Sequence, residues 1–122
     1  MAAPPTDAPG ATLSNRPTIS THVLDMERGV PAVGVHVTLY RLDVGDAPIR
    51  MTQALTDGDG RVRDLLERPL AAGDYRLEFD VAHAESTFFT KLAVELRITD
   101  ATRSYHVPLL LAPYSMTTYR GS

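Results

Sequence analysis

From Ile19 onward the apolar residues of this chain recur at every second position, in run after run. A period of two is the mark of a strand with one buried face, because successive side chains point to opposite sides of a sheet. Ile19, Thr21 and Val23 face one way, and Ser20, His22 and Leu24 the other. Val35, Val37 and Leu39 alternate with His36, Thr38 and Tyr40, and Ile49, Met51, Gln53 and Leu55 with Arg50, Thr52, Ala54 and Thr56. A short run follows at Val62 to Leu66. Tyr75, Leu77, Phe79 and Val81 alternate with Arg76, Glu78 and Asp80, the cleanest half-buried pattern in the chain. Leu92, Val94, Leu96 and Ile98 form another set, and Tyr105, Val107, Leu109 and Leu111 a further one, opposite Ser104, His106, Pro108 and Leu110. A last run covers Tyr114 to Arg120.

Turn residues separate these runs: Glu27-Arg28-Gly29, Gly45-Asp46, Asp57-Gly58-Asp59-Gly60, Ala72-Gly73-Asp74 and Thr99-Asp100. About eight strands at near-regular spacing predict an all-β chain folded as an antiparallel sandwich. The one candidate for a helical turn is Ala84 to Lys91. No internal repeat is present.

The chain has 122 residues, enough for one domain with one core. Its net charge of −3, with no basic block, argues against nucleic acid as a partner, since that needs a positive stripe to displace counterions. The longest aliphatic cluster is Leu109-Leu110-Leu111, far short of the roughly 18 residues of a membrane span, so no membrane partner is expected. There are no cysteines, which excludes disulfides and thiolate metal sites. A reducing cytoplasm fits that composition and is the expected location, although it does not exclude the periplasm. Residues 1–17 carry Pro4, Pro5, Pro9 and Pro17 and almost no apolar bulk. They lack the charged start and apolar centre of a signal peptide and read as a disordered tail ahead of a domain at 18–122.

The side chains able to do chemistry are few. His22 and His106 stand on strand faces opposite the apolar face, a position that an ordinary surface histidine also occupies. His36 has a similar pattern, and His83 lies at a strand end. Three histidines could ligate zinc, but no pair has the local spacing that would support a metal. Asp57-Gly58-Asp59-Gly60 resembles the start of a calcium loop, yet its twelfth position is Arg68 rather than glutamate, so a hairpin turn is the better reading. There is no Gly-x-Ser-x-Gly elbow, and no serine sits in a recognisable nucleophile setting. Histidines and arginines suit activation of water by a general base, with arginine stabilising an anion. The chain closes on Tyr119-Arg120-Gly121-Ser122 directly after an apolar strand, so this terminus is expected to be ordered and to belong to a site.

Three segments together carry a resemblance: Ser20-Thr21-His22-Val23-Leu24-Asp25 with Gly34 to Tyr40; Thr56-Asp57-Gly58-Asp59-Gly60-Arg61; and Tyr105-His106-Val107-Pro108-Leu109-Leu110-Leu111 with Pro113-Tyr114 and the closing Tyr119 to Ser122. In these the chain resembles the transthyretin-related 5-hydroxyisourate hydrolases of urate breakdown, over about Ile19 to Ser122. The closing tetrapeptide is the most specific part, since it separates the hydrolases from transthyretin itself. The resemblance implies a sandwich of two four-stranded sheets, and a homotetramer of two dimers whose sites lie in the channel between them. It implies His22, Arg61 and His106 as catalytic residues, with Ser122 orienting a histidine or the water. Tyr119, Arg120 and Gly121 would join His22, Arg61 and Ser122 in binding a planar, oxidised purine. The implied reaction is hydrolysis of 5-hydroxyisourate to 2-oxo-4-hydroxy-4-carboxy-5-ureidoimidazoline, without metal or cofactor. The chain departs from the family pattern after Val81, where only Ala82 to Lys91 bridges to the next strand and Thr90 replaces the usual proline after the paired aromatic residues Phe88-Phe89. The alternatives are a non-enzymatic carrier of small aromatic ligands, and a metal-dependent hydrolase using the same histidines.

Overall fold

The computed structural model describes residues 16–121. Most of the expected tail, and Ser122, lie outside the described residues. Nine strands follow one another: β1 (Ile19–Asp25), β2 (Val30–Pro31), β3 (His36–Leu42), β4 (Ile49–Leu55), β5 (Arg61–Val62), β6 (Gly73–Asp80), β7 (Lys91–Ile98), β8 (Tyr105–Ala112) and β9 (Ser115–Thr118). They build two sheets. One has the order β4-β3-β6-β7. The other runs β2-β1-β8-β9, and β5 adds a fifth strand that pairs with β1. Because β8 pairs with β1 along its whole length, β2 and β5 share the other edge of β1.

The core lies between the sheets and is made by the alternating residues. Ile19 and Val23 of β1, Val37 and Leu39 of β3, Leu77 and Phe79 of β6 and Leu109 of β8 have no exposed surface. Each such side chain contributes about 1.5–3 kcal/mol by leaving water. Leu65 and Leu66, after β5, add to the same cluster. Thr21 is buried among these residues, and its hydroxyl donates to the Val107 carbonyl at 2.6 Å. The alternation in β1, β6 and β8 therefore has the phase expected from the sequence, which leaves His22 and His106 on the outer face of the first sheet.

Four local readings need correction. Period two says nothing about strand direction, and β1 with β8 form a parallel pair, Ile19 opposite Tyr105 through Asp25 opposite Leu111. In β4 the strict alternation breaks, because a bulge leaves Met51 without a partner between the pairs Leu39–Thr52 and Tyr40–Arg50. The run at Val62 to Leu66 pairs only at Arg61 and Val62 before the chain dives into the core. The candidate helical turn at Ala84 to Lys91 is not a helix, and no helix occurs among the described residues. Ala84 and Thr87 close two short turns, but the next amide, Phe88 N–H, donates to the Pro113 carbonyl at 2.7 Å, which diverts the backbone from any helical ladder. It follows that no helix among the described residues is long and apolar enough to cross a membrane.

Proline in the internal strand β8 has a place that fits its chemistry. Pairing with β9 runs from Ala112–Ser115 to Leu109–Thr118, stops at Pro108, and resumes at a single bridge between His106 and Gly121. The missing amide hydrogen thus falls in a gap in the ladder. The Pro108 carbonyl is still satisfied, by the Thr118 hydroxyl at 2.7 Å.

Candidate active site

Register places the expected residues together. His22 stands opposite Arg61 in the antiparallel β1–β5 pair, and Ser20 stands opposite His106 in the parallel β1–β8 pair. Partners opposite each other project from the same face of a sheet. Ser20, His22, Arg61 and His106 therefore share the outer face of the first sheet, each partly buried.

Arg61 is carried by a tight turn. The Asp57 carboxylate accepts the backbone N–H groups of Asp59 at 2.9 Å and Arg61 at 3.0 Å, and Asp57 N–H donates to the Arg61 carbonyl at 2.9 Å. The bond from the Arg61 amide holds the Asp57 carboxyl below its ordinary range, against a smaller opposing effect of desolvation. Gly60 has φ of +76° and its carbonyl accepts Val23 N–H at 2.7 Å, which ties the turn to β1. A Cβ there would meet the Val23 carbonyl oxygen at 2.5 Å, so only glycine fits. Beyond Arg61, Leu65 N–H donates to the Ile19 carbonyl at 2.9 Å, and Asp64 accepts the Thr18 hydroxyl and pairs with Arg16 at 3.0 Å. The guanidinium is thus mounted on a segment clamped to β1 at both ends.

His106 is held between two neighbours. Its Nδ1 lies 2.9 Å from the Ser20 hydroxyl. On the other flank Gly121 N–H donates to the His106 carbonyl at 2.7 Å, and a Cβ on Gly121 would come within 3.0 Å of the ring Cδ2. Burial lowers the affinity of this imidazole for a proton, and the charges of Arg61 and His22 lower it further. His106 is accordingly a neutral base near neutral pH, a state able to accept a proton from water.

His22 and Arg61 also line an open cleft of about 520 Å³ with Pro31, Asp59 and Arg63. A larger hollow, of about 620 Å³, lies beside Val81 and His83 to Ser86 and contains none of His22, Arg61 or His106. Convergent chemistry rather than size marks the first as the candidate site.

The remaining expected residues divide. Gly121 is brought to His106, whereas Tyr119 and Arg120 line a groove at the open edge of the sandwich with Val94 to Ile98 of β7. The expected order of the closing segment holds through Gly121. Ser122 lies outside the described residues. His36 is on β3, in the other sheet, so His22, His36 and His106 are not gathered in one place. The Asp57 to Gly60 stretch is a turn, as its residues predict. Two contributors escaped the reading of the sequence: Ser20, whose only signal is its place two residues before His22 on the same face, and Asp57, which shapes the turn carrying Arg61.

Known proteins resemble the chain over most of its length. The chain is 41% identical over 120 residues to the 5-hydroxyisourate hydrolase of Deinococcus radiodurans, covering 90% of this chain and 100% of that protein. It is 42% identical over 111 residues to the enzyme of the same name from Salmonella typhimurium, covering 85% and 80%. The solved structure of Klebsiella pneumoniae 5-hydroxyisourate hydrolase superposes with a TM-score of 0.75 at 34% identity, over 87% of this chain and 99% of that one. Transthyretin from Sparus aurata superposes with a TM-score of 0.78 at 26% identity, over 87% and 97%. The model of the HIUase/Transthyretin family matches residues 19–121, and the chain belongs to that family.

Proposed function

We propose that this chain hydrolyses 5-hydroxyisourate in the degradation of urate. The observation that carries the reading is the convergence of His22, Arg61 and His106 on one outer sheet face, in a chain whose relatives across nearly its whole length bear the hydrolase name. Water adds its oxygen to a ring carbonyl carbon while neutral His106 takes the proton. The oxygen of that carbonyl gains negative charge, which Arg61 stabilises. The ring C–N bond then breaks, the leaving nitrogen receives a proton from the histidine, and the carbonyl carbon ends as a carboxylate. His22 positions the water and the substrate beside Arg61. Gly121 borders the binding surface beside His106 in this proposal, and Tyr119, Arg120 and Ser122 enter it from the family pattern.

The site as one chain forms it is a face rather than an enclosure. Leu24 and Leu110, register partners on the same face, are only half-buried beside the histidines. We propose that further copies of the chain cover this face in a homotetramer, excluding water and strengthening the charge interactions. Light scattering should give about four chains per particle, and a stable, fully active monomer would rule this out.

The alternative reading, a carrier, draws on the likeness to transthyretins, one of them solved in complex with thyroxine. A carrier needs no neutral base facing an arginine. The deciding experiment generates 5-hydroxyisourate from urate with urate oxidase and follows its ultraviolet decay with and without this protein. Decay no faster with the protein would overturn the hydrolase reading.

A further inference from the structure

Ser20 and His106 come from positions 86 residues apart in sequence, and the parallel pairing of β1 with β8 sets them side by side. The Ser20 hydroxyl lies 2.9 Å from Nδ1, and the Gly121 backbone closes on the Cδ2 edge of the same ring. The imidazole is therefore held on both flanks, with its Cε1–Nε2 end left to face outward. A neutral imidazole has two tautomers, and the partner of one nitrogen decides what the other can do. We infer that Ser20 is a positioning residue for His106, its hydroxyl accepting Nδ1–H so that Nε2 is the nitrogen presented to the reacting water.

A hydroxyl suits this task through the whole proton cycle. It accepts from Nδ1–H both when Nε2 is bare and when the ring is an imidazolium, so the ring need not turn as the proton comes and goes. A carboxylate in the same place would favour the cation and raise the affinity of the ring for its proton. Ser20 brings no charge. The charged groups acting on His106 are then Arg61 from β5 and His22 from β1, and both keep the ring neutral. Ser20 thus fixes orientation without cancelling the electrostatics that make His106 a base.

The catalytic meaning of this inference rests on the hydrolase reading, but its structural content does not. The test uses the full chain labelled with ¹⁵N-histidine, with His106 assigned through H106Q. Long-range ¹H–¹⁵N spectra report which nitrogen bears the proton in the parent protein, Ser20→Ala, Ser20→Thr and Ser20→Asp. We expect Nδ1–H in the parent and in Ser20→Thr, and a mixture of tautomers in Ser20→Ala. In the decay assay Ser20→Ala should lose roughly ten- to a hundredfold in kcat, the scale on which an outer partner orienting an imidazole acts. KM should change little, Ser20→Thr should restore the rate, and Ser20→Asp should move the acid limb upward. A parent protein with its proton on Nε2, or a Ser20→Ala variant that keeps the Nδ1–H tautomer, would overturn the inference. If the parent protein fails to hydrolyse 5-hydroxyisourate, the functional reading falls while the spectra still decide the role of Ser20.

Discussion

His22 faces Arg61 directly across the two-residue ladder between β1 and β5. The pairing sets a flat aromatic donor–acceptor beside a fixed positive charge on the same sheet face. Replacing Arg61 by Ala should leave the fold intact and cost on the order of 10²-fold or more in kcat, the scale of losing a preorganised donor to a developing oxyanion. Arg61→Lys should recover only part of this, since an ammonium cannot reproduce the planar fork. Steady-state decay of 5-hydroxyisourate measures both. Near-normal kcat in Arg61→Ala would remove it from the chemistry.

The histidines should separate from stability in the same way. His22→Ala and His106→Ala are each expected to reduce turnover by about 10²-fold or more. Thermal unfolding should move little, because neither ring lies in the core. Two folded variants with unimpaired rates would show that these rings are only surface residues.

The pH dependence follows from the direction of the His106 shift. Its folded-state pKa is lowered, first by burial and then by Arg61 and His22. The acid limb of kcat/KM, which reports the free enzyme, should therefore lie below the ordinary histidine value of about 6.5. For stability, the unfolded chain takes up its proton first as pH falls. Stability is then unaffected well above about 6.5, declines as pH drops through that value, and stops declining once the folded-state pKa is passed. His106→Gln should remove this component from a pH series of denaturant midpoints. An acid limb above the ordinary value would contradict the shift.

Two glycines give a matched pair of tests. Gly60→Ala should destabilise the fold by about 1–2 kcal/mol from its positive φ alone, with the contact on the Val23 carbonyl oxygen adding to that. Gly58→Ala, in the same turn with nothing within 4 Å of a new Cβ, should be nearly neutral. Equal melting temperatures for the two variants would mean the turn relaxes freely.

Gly121→Ala probes the other flank of His106. A Cβ there would stand 3.0 Å from Cδ2 and 3.3 Å from the His106 carbonyl oxygen. The ring, rather than the core, must give way. We expect kcat to fall about tenfold, against the 10²-fold or more of outright base removal. Denaturant midpoints should stay close to those of the parent protein. A fully active Gly121→Ala would show that the ring tolerates the displacement.

The inner and outer faces of β1, β6 and β8 were legible because burial acts on every second residue and leaves its trace in composition. His22 and His106 could be assigned to an outer face on that basis. Their neighbourhood could not, since it depends on which strands are adjacent and in which direction they run. The parallel pairing of β1 with β8 has no local signature, so Ser20 was only a serine in a strand. The break in β4 was hidden because Met51, apolar in either phase, satisfies the alternation even where the bulge shifts it. The turn at Asp57 to Gly60 was readable because its chemistry is local, with one carboxylate receiving two nearby amides. Phe88 and Phe89 carry no sign of the Pro113 carbonyl that captures the Phe88 amide and prevents a helix.

The parallel seam between β1 and β8 has a consequence for how the protein is made. During synthesis the first strand leaves the ribosome long before its partner exists, and its inner edge must wait through the whole intervening chain. Contacts of such sequence separation form slowly, and the open edge is meanwhile free to stick to other chains. The nascent polypeptide can thus hold a finished β4–β3–β6–β7 layer while the histidine face is still unassembled. Ser20 and His106 meet only when β8 emerges, so the face that carries the histidines cannot be assembled before that strand has been made.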